Sequence, residues 1–255
     1  MRIRKILESG RPMLGTWLQS GSPVAAEIMA AEGFDFIAAD LEHTDMNEDI
    51  LSHCIRALPE SCVPMVRVRE NDTLAIRRAL DCGAEGIIVP LINSAEEASR
   101  AVAAAKYPPD GVRGFAFCRA NGWGKDFDAY ARTANRNIAV FVMIESKEAV
   151  DHIDEILTVP GVDGVFIGPY DMSGSYGILG QMGHPVLQEA KQRVLKACLN
   201  QNRIAGQHIV IPTADCIQEA LQEGYRFLAL GMDTVFLRAG AAEAISKTKI
   251  QGGNV

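Results

Sequence analysis

Several polar residues stand where long apolar runs end. Asp40, Leu41, Glu42 and His43 close the run from Phe34, Arg67 closes Val63-Pro64-Met65-Val66, and Glu145 follows Ile138 to Ile144. Gly164 to Ile167 runs into Gly168-Pro169-Tyr170-Asp171. Glu145 and Asp171 are the two carboxylates that follow the most apolar stretches, and a buried, unpaired carboxylate is costly to keep ionised. A divalent cation removes that cost. Two protein carboxylates with the remaining positions left to water and substrate oxygen suit Mg2+ or Mn2+, with Co2+ as a variant, better than zinc. The structural alternative is that each caps a helix or pairs with an arginine. Asp40 is placed to orient the His43 imidazole for proton transfer. Arg67 could grip a carboxylate or enolate oxygen through two parallel N–H bonds. It could equally pair with Asp40 or Glu42, and the two roles are compatible. The other four histidines, His53, His152, His184 and His208, read as structural. No run ends in lysine, Lys147 lying two residues past Glu145, so imine chemistry is not expected. Neither Gly21-Ser22-Pro23 nor Met172-Ser173-Gly174-Ser175 forms a nucleophile elbow.

These residues need a scaffold that brings strand ends together. The chain has 255 residues, 48% hydrophobic and 22% charged, enough for a sizeable core. Aromatics supply only 6%, so aliphatic residues must fill the interior, which favours an α/β architecture. A formal net charge of -7 with no basic cluster argues against nucleic acid or anionic membranes as partners. No apolar run approaches the roughly 20 residues that span a bilayer. The start, with Arg2, Arg4 and Lys5 followed by Glu8 and Arg11, lacks the apolar core of a signal peptide, so a cytoplasmic location is expected. The six cysteines include no C-x-x-C pair and lie in apolar segments, which predicts reduced core thiols.

Eight β-type runs alternate with helical segments: Met13 to Leu18, Phe34 to Asp40, Val63 to Val68, Gly86 to Val89, Ile138 to Ile144, Gly164 to Ile167, Arg203 to Gly206 and Phe227 to Leu230. Helices are expected over Pro23 to Glu32, Asp72 to Cys82, Ser94 to Ala105, Lys147 to Leu157 and Pro185 to Asn200. Ser22-Pro23 and the Ser94/Glu97 capping box mark two of their starts. Glycines at Gly33, Gly83 and Gly224 end helices before the next strand. The pattern predicts a single (β/α)8 barrel over residues 1–255, whose active site lies at the C-terminal ends of the strands. The absence of a G-x-G-x-x-G after the first strand disfavours a nucleotide-binding sheet. The connection from Lys106 to Asn137 is too long for a simple loop and reads as a lid or a subunit contact. Asp233 to Lys249 has a helical pattern, and Gln251 to Val255 is expected to fray.

Asp40-Leu41-Glu42-His43, Val66-Arg67-Val68, Tyr107-Pro108-Pro109 with Gly111-Val112-Arg113-Gly114, Ile144-Glu145-Ser146 and Gly168-Pro169-Tyr170-Asp171-Met172-Ser173 together resemble the HpcH/HpaI aldolases. These are class II pyruvate aldolases acting on substrates such as 4-hydroxy-2-oxoheptanedioate, 2-dehydro-3-deoxyglucarate and 2-keto-3-deoxy-rhamnonate. The resemblance spans Gly15 to about Gly231. It implies that Glu145 and Asp171 bind the cation and that Arg67 holds the pyruvyl oxygens. It further implies that His43, oriented by Asp40, moves protons, and that amides around Tyr170 and Asp171 receive the pyruvate carboxylate. A hexamer of dimers that exchange C-terminal helices is also implied. Two positions depart from the family. Met143 replaces a frequent glutamine that contacts substrate, and Tyr170 replaces a frequent alanine. The resemblance therefore predicts cleavage of a 4-hydroxy-2-oxo acid to pyruvate and an aldehyde. Because a siderophore-associated citrate synthase and macrophomate synthase share this structural group, a synthase or lyase using oxaloacetate or a CoA thioester is the alternative. A catalytically idle barrel binding a small acid or a protein is a third reading.

Overall fold

The computed structural model describes residues 2–125 and 127–248. Eight parallel strands close into a barrel in sequence order: β1 (Met13–Leu18), β2 (Phe36–Asp40), β3 (Val63–Arg67), β4 (Gly86–Val89), β5 (Ala139–Ile144), β6 (Gly164–Ile167), β7 (Ile204–Ile209) and β8 (Phe227–Met232). The ring closes by β1 pairing with β8, Met13 beside Phe227. Twelve helices, α1 to α12, are described: Arg2–Ser9, Pro23–Ala31, Glu48–Ala57, Thr73–Asp81, Ala95–Ala105, Phe127–Asn137, Lys147–Asp151, Ile153–Thr158, Pro169–Ser175, Pro185–Asn200, Ala214–Glu223 and Asp233–Thr248.

Because side chains alternate along a strand, each stave has an inner and an outer set. The outer residues, among them Ile37, Val66, Ile87, Val140, Val142 and Val165, pack beneath the helices in one continuous core. The inner set, including Met13, Phe36, Met65, Ile88, Phe141, Phe166 and Phe227, fills the barrel itself. Phe227 lies 4.6 Å from Phe36 and 4.5 Å from Phe141 between ring centroids, so three aromatics occupy one layer. Each such ring contributes about 1.5–3 kcal/mol by burial. The N-terminal end is plugged by α1, whose Ile3 is fully buried in that inner core. Arg2 pairs with Glu85 at 2.6 Å and Arg4 with Asp163 at 2.5 Å, fixing the plug. The C-terminal end of the barrel is left as the place for a cavity.

Helix starts follow local chemistry. Ser22 accepts from the Ala25 amide and Asp72 from Leu74 and Ala75. At α5 the capping box is altered: Ser94 accepts from Glu97 N, but the Glu97 carboxylate takes the Asn93 amide instead of the cap's own. Gly33, Gly83 and Gly224 do adopt positive φ, at 91°, 110° and 114°. The segment expected as one helix over Lys147 to Leu157 is two, α7 and α8, broken at His152, whose ψ of 11° departs from the helix. β7 runs to Ile209, three residues beyond the expected Gly206.

The long connection after α5 is ordered around Arg113, which is fully buried, bonded to Asp81 at 2.6 Å and stacked 4.6 Å from the Tyr107 ring. It continues through a 3-10 turn, Arg119–Gly124, into α6. It packs on the flank of α4, with Arg119 against Gly83, and none of its described residues lines the cavity at the barrel mouth. In this conformation the segment does not cover the cavity of its own chain. Five of the cysteines are at least half-buried, but Cys216 is exposed, and all six are free thiols. No helix among the described residues is long and apolar enough to cross a membrane. Lys249 and the segment 251–255 lie outside the described residues.

Candidate active site

A cavity of about 220 Å³ opens at the C-terminal ends of the strands. His43, Arg67, Met143, Tyr170 and Asp171 line it, together with Trp17, Gln19, Gly168 and His208. The physical reason is register. Asp40 pairs with Arg67 across β2 and β3, so both end their strands at the same level and point inward.

Arg67 organises this level. Its Nε and Nη2 donate to the two oxygens of Asp40 at 2.9 and 2.7 Å, a bidentate pair in which Asp40 is wholly buried. Burial would push the Asp40 carboxyl up, but the guanidinium bonds outweigh it and hold the group below its usual range. Nη1 lies 3.1 Å from Glu42 Oε2 and 3.9 Å from Met143 Sδ, while the guanidinium carbon sits 4.8 Å from the Trp17 ring centroid. Gln19 Nε2 donates to Asp40 at 3.2 Å.

The Asp40–His43 relation differs from expectation. Asp40 reaches His43 only through the backbone amide, at 3.4 Å, because its carboxylate is occupied by Arg67 and Gln19 and also accepts from the Glu42 amide. The imidazole instead has Glu42 beside it, Nε2 to Oε2 3.6 Å, with the ring more than half exposed. Glu42, expected from the sequence only as a partner of Arg67, thus stands between the imidazole and the guanidinium. Burial raises its pKa, and the charges of Asp40 and Asp171 add to that effect against Arg67.

Glu145 directly follows β5 and is almost fully buried. Its Oε1 accepts from the Leu91 amide at 2.7 Å. Burial, with the charges of Glu42 and Asp171, pushes its pKa up to about 7. Gly168 makes room for it: a Cβ there would lie 2.7 Å from Glu145 Oε2. Glu145 is not itself on the cavity surface, but Gly168 is. Asp171, one turn into α9, is exposed at the cavity and makes no ion pair among the described residues. These features fit a hard divalent cation: excess negative charge, an oxygen of Glu145 without a hydrogen bond, and a glycine cradle beside it. No set of three or more His, Cys, Asp and Glu that could hold a metal occurs among the described residues, so such an ion would complete its shell from water or substrate. Tyr170 and Asp171 occupy the first turn of α9, where backbone N–H groups lack intrahelical partners.

Trp17, Gln19 and His208 were not singled out from sequence. Trp17 shares the inward phase of Met13 on β1, a signal that period-two counting carries. His208 becomes inward-facing only because β7 continues past Gly206, so the truncated strand hid it.

Residues 13–239 match the family model described as HpcH/HpaI aldolase/citrate lyase. A curated relative from Shigella sonnei (strain Ss046), 4-hydroxy-2-oxo-heptane-1,7-dioate aldolase, is 39% identical over 247 residues, 96% of this chain and 93% of the relative. Among solved structures, an HpcH/Hpal aldolase/citrate lyase family protein from Burkholderia cenocepacia J2315 superposes with a TM-score of 0.91 at 32% identity, covering 97% of this chain and 98% of the other. The citrate synthase SbnG superposes with a TM-score of 0.86 at 30% identity, covering 98% and 99%.

Proposed function

The chain belongs to the HpcH/HpaI aldolase/citrate lyase family, and on that premise we propose that its barrel mouth cleaves a 4-hydroxy-2-oxo acid reversibly to pyruvate and an aldehyde. The observation that carries the reading is Arg67 and Asp171 on the wall of one cavity, with Glu42 beside the Arg67 guanidinium and Glu145 buried behind Gly168. Glu145 and Asp171 would hold Mg2+, Mn2+ or a similar cation, which supplies Lewis-acid polarisation of the 2-oxo group.

This chain's own residues supply the rest. Arg67, locked by Asp40, presents Nη1 as a fixed positive charge toward the oxygen on which negative charge develops as the carbon–carbon bond breaks. Its geometry is set before substrate arrives, so little reorganisation accompanies reaction. The first-turn amides of Tyr170 and Asp171 suit the substrate carboxylate. His43 stands at the cavity with one ring nitrogen near Glu42, suited to taking the 4-hydroxyl proton and returning it in the reverse direction. Met143 and Phe166 give the pyruvyl methyl an apolar wall.

EDTA is expected to abolish pyruvate release, Mn2+ or Mg2+ to restore it, and borohydride with substrate to leave the enzyme active. Trapping of a lysine adduct would overturn the mechanism. A second reading, condensation or cleavage involving oxaloacetate or a CoA thioester, is favoured by Met143 and Tyr170 and by the likeness to a citrate synthase. Thioester-dependent product without cleavage of any 4-hydroxy-2-oxo acid would select it. For assembly, the exposed apolar residues of α12, Leu237 at 76%, suit the exchange of C-terminal helices in a hexamer.

A further inference from the structure

The β7 side of the cavity carries a polar group that the reaction as derived does not use. His208 follows Gly206 by two residues on the inward face, and its ring centroid lies 6.1 Å from that of Trp17 across the mouth. Nε2 is 3.0 Å from the carbonyl oxygen of Gly231. A carbonyl oxygen can only accept, so Nε2 carries the proton. Burial, aided by the charge of Arg67, pulls the pKa of the ring down to about 4, which keeps it neutral near pH 7. In that tautomer Nδ1 is a lone-pair acceptor, with no hydrogen-bond donor to it among the described residues. The neighbouring wall is largely apolar, made by Phe166, Val210, Met232 and the face of Trp17, whose Nε1–H is buried without a partner among the described residues; Gln19, beside it, is turned to Asp40. The only Lys or Arg lining the cavity among the described residues is Arg67, which Asp40 and Glu42 hold on the pyruvyl side of the cavity, away from His208 in the proposed reaction. With the Trp17 N–H buried, the polar atom this face presents to a ligand is the His208 acceptor, and it offers no counter-ion.

The geometry points to His208 Nδ1 as the specificity-determining acceptor for a hydroxyl on the aldehyde half, so that the substrate is a 4-hydroxy-2-oxo acid bearing further hydroxyls beyond C4. This rests on the aldolase reading of the same site. An aliphatic aldehyde half leaves the acceptor unpaired in an apolar wall, and a terminal carboxylate meets a lone pair where it needs a donor.

The test runs the reaction in the aldol direction with pyruvate and Mg2+, comparing kcat/KM for glyceraldehyde, propanal and succinic semialdehyde. The wild type is expected to favour glyceraldehyde over propanal by about tenfold. His208→Leu is expected to bring that ratio near one. His208→Gln, whose amide can donate to Gly231 and still accept from substrate, is expected to keep most of it. A ratio within one variant does not depend on how much of that variant is folded. An unchanged ratio in His208→Leu, or a wild-type preference for succinic semialdehyde, would overturn the assignment. Exchange of the pyruvate methyl protons in D2O, measured on the wild type with Mg2+, separates the two readings. Exchange with an unmoved ratio sinks only the role of His208, whereas absence of exchange sinks the aldolase reading and this inference with it.

Discussion

Asp40 and Arg67 form the most consequential pair in the molecule, because neither is at home in the barrel without the other. Breaking a buried ion pair by removing one partner costs about 3–5 kcal/mol, so Arg67→Met should lower unfolding stability by that order in urea titrations. Arg67→Lys should keep more of the stability, yet lose about a hundredfold in kcat/KM, since a point charge cannot hold Asp40 through two bonds and still present a third nitrogen. His208 gives a pH signature. Its folded pKa, about 4, lies below the ordinary 6.5, so between those values the unfolded chain binds the proton first. The stability due to a neutral His208 is thus fully present above pH 6.5 and lost as pH falls toward 4. Wild type minus His208→Leu in denaturant midpoint should shrink over that window; a flat difference would show the ring not to be buried and neutral.

At the scale of elements, the junction of β6 and α9 decides how much room the Glu145 carboxylate has. Gly168 has φ -101°, which any residue can adopt, so its requirement is steric and not conformational. Gly168→Ala would place a methyl 2.7 Å from Glu145 Oε2. The expected outcome is Mn2+ affinity reduced at least tenfold in calorimetry, with far-ultraviolet circular dichroism unchanged. The strand runs and most helices were legible because burial on both faces writes β-strands as continuous apolar runs, while caps such as Ser22 and Asp72 announce helices. Strand ends were less legible. Residues at a barrel mouth are polar for reasons of chemistry, so apolarity stops before the hydrogen bonding does, and β7 lost His208 for that reason. The break between α7 and α8 was equally hidden, since apolar spacing continues across His152.

For the whole molecule, the barrel has no free edge, and the plug of α1 seals one end, so ligands reach only the other. A cation bound to the native state alone stabilises by about 2.7 kcal/mol at a hundred times its Kd. Mn2+ should therefore raise the melting temperature of the wild type, and should not raise that of Glu145→Gln. If α12 is shared between subunits, sedimentation should show a species six times 27.6 kDa, and Leu237→Asp should yield smaller ones.

The order of strands and helices, the barrel class and the polar residues that close β2 and β3 or follow β5 and β6 were already determined by the chain's own pattern, because period, capping and burial are local properties. Which partner each polar residue takes was decided only in three dimensions. Asp40 could have served His43 or Arg67 by sequence distance, and the parallel register of β2 and β3 gave it to Arg67. Glu42, offered by the sequence as a partner of Arg67, also gained a place beside the imidazole, and His208 reached the cavity because closure of the ring carries β7 round to face Trp17.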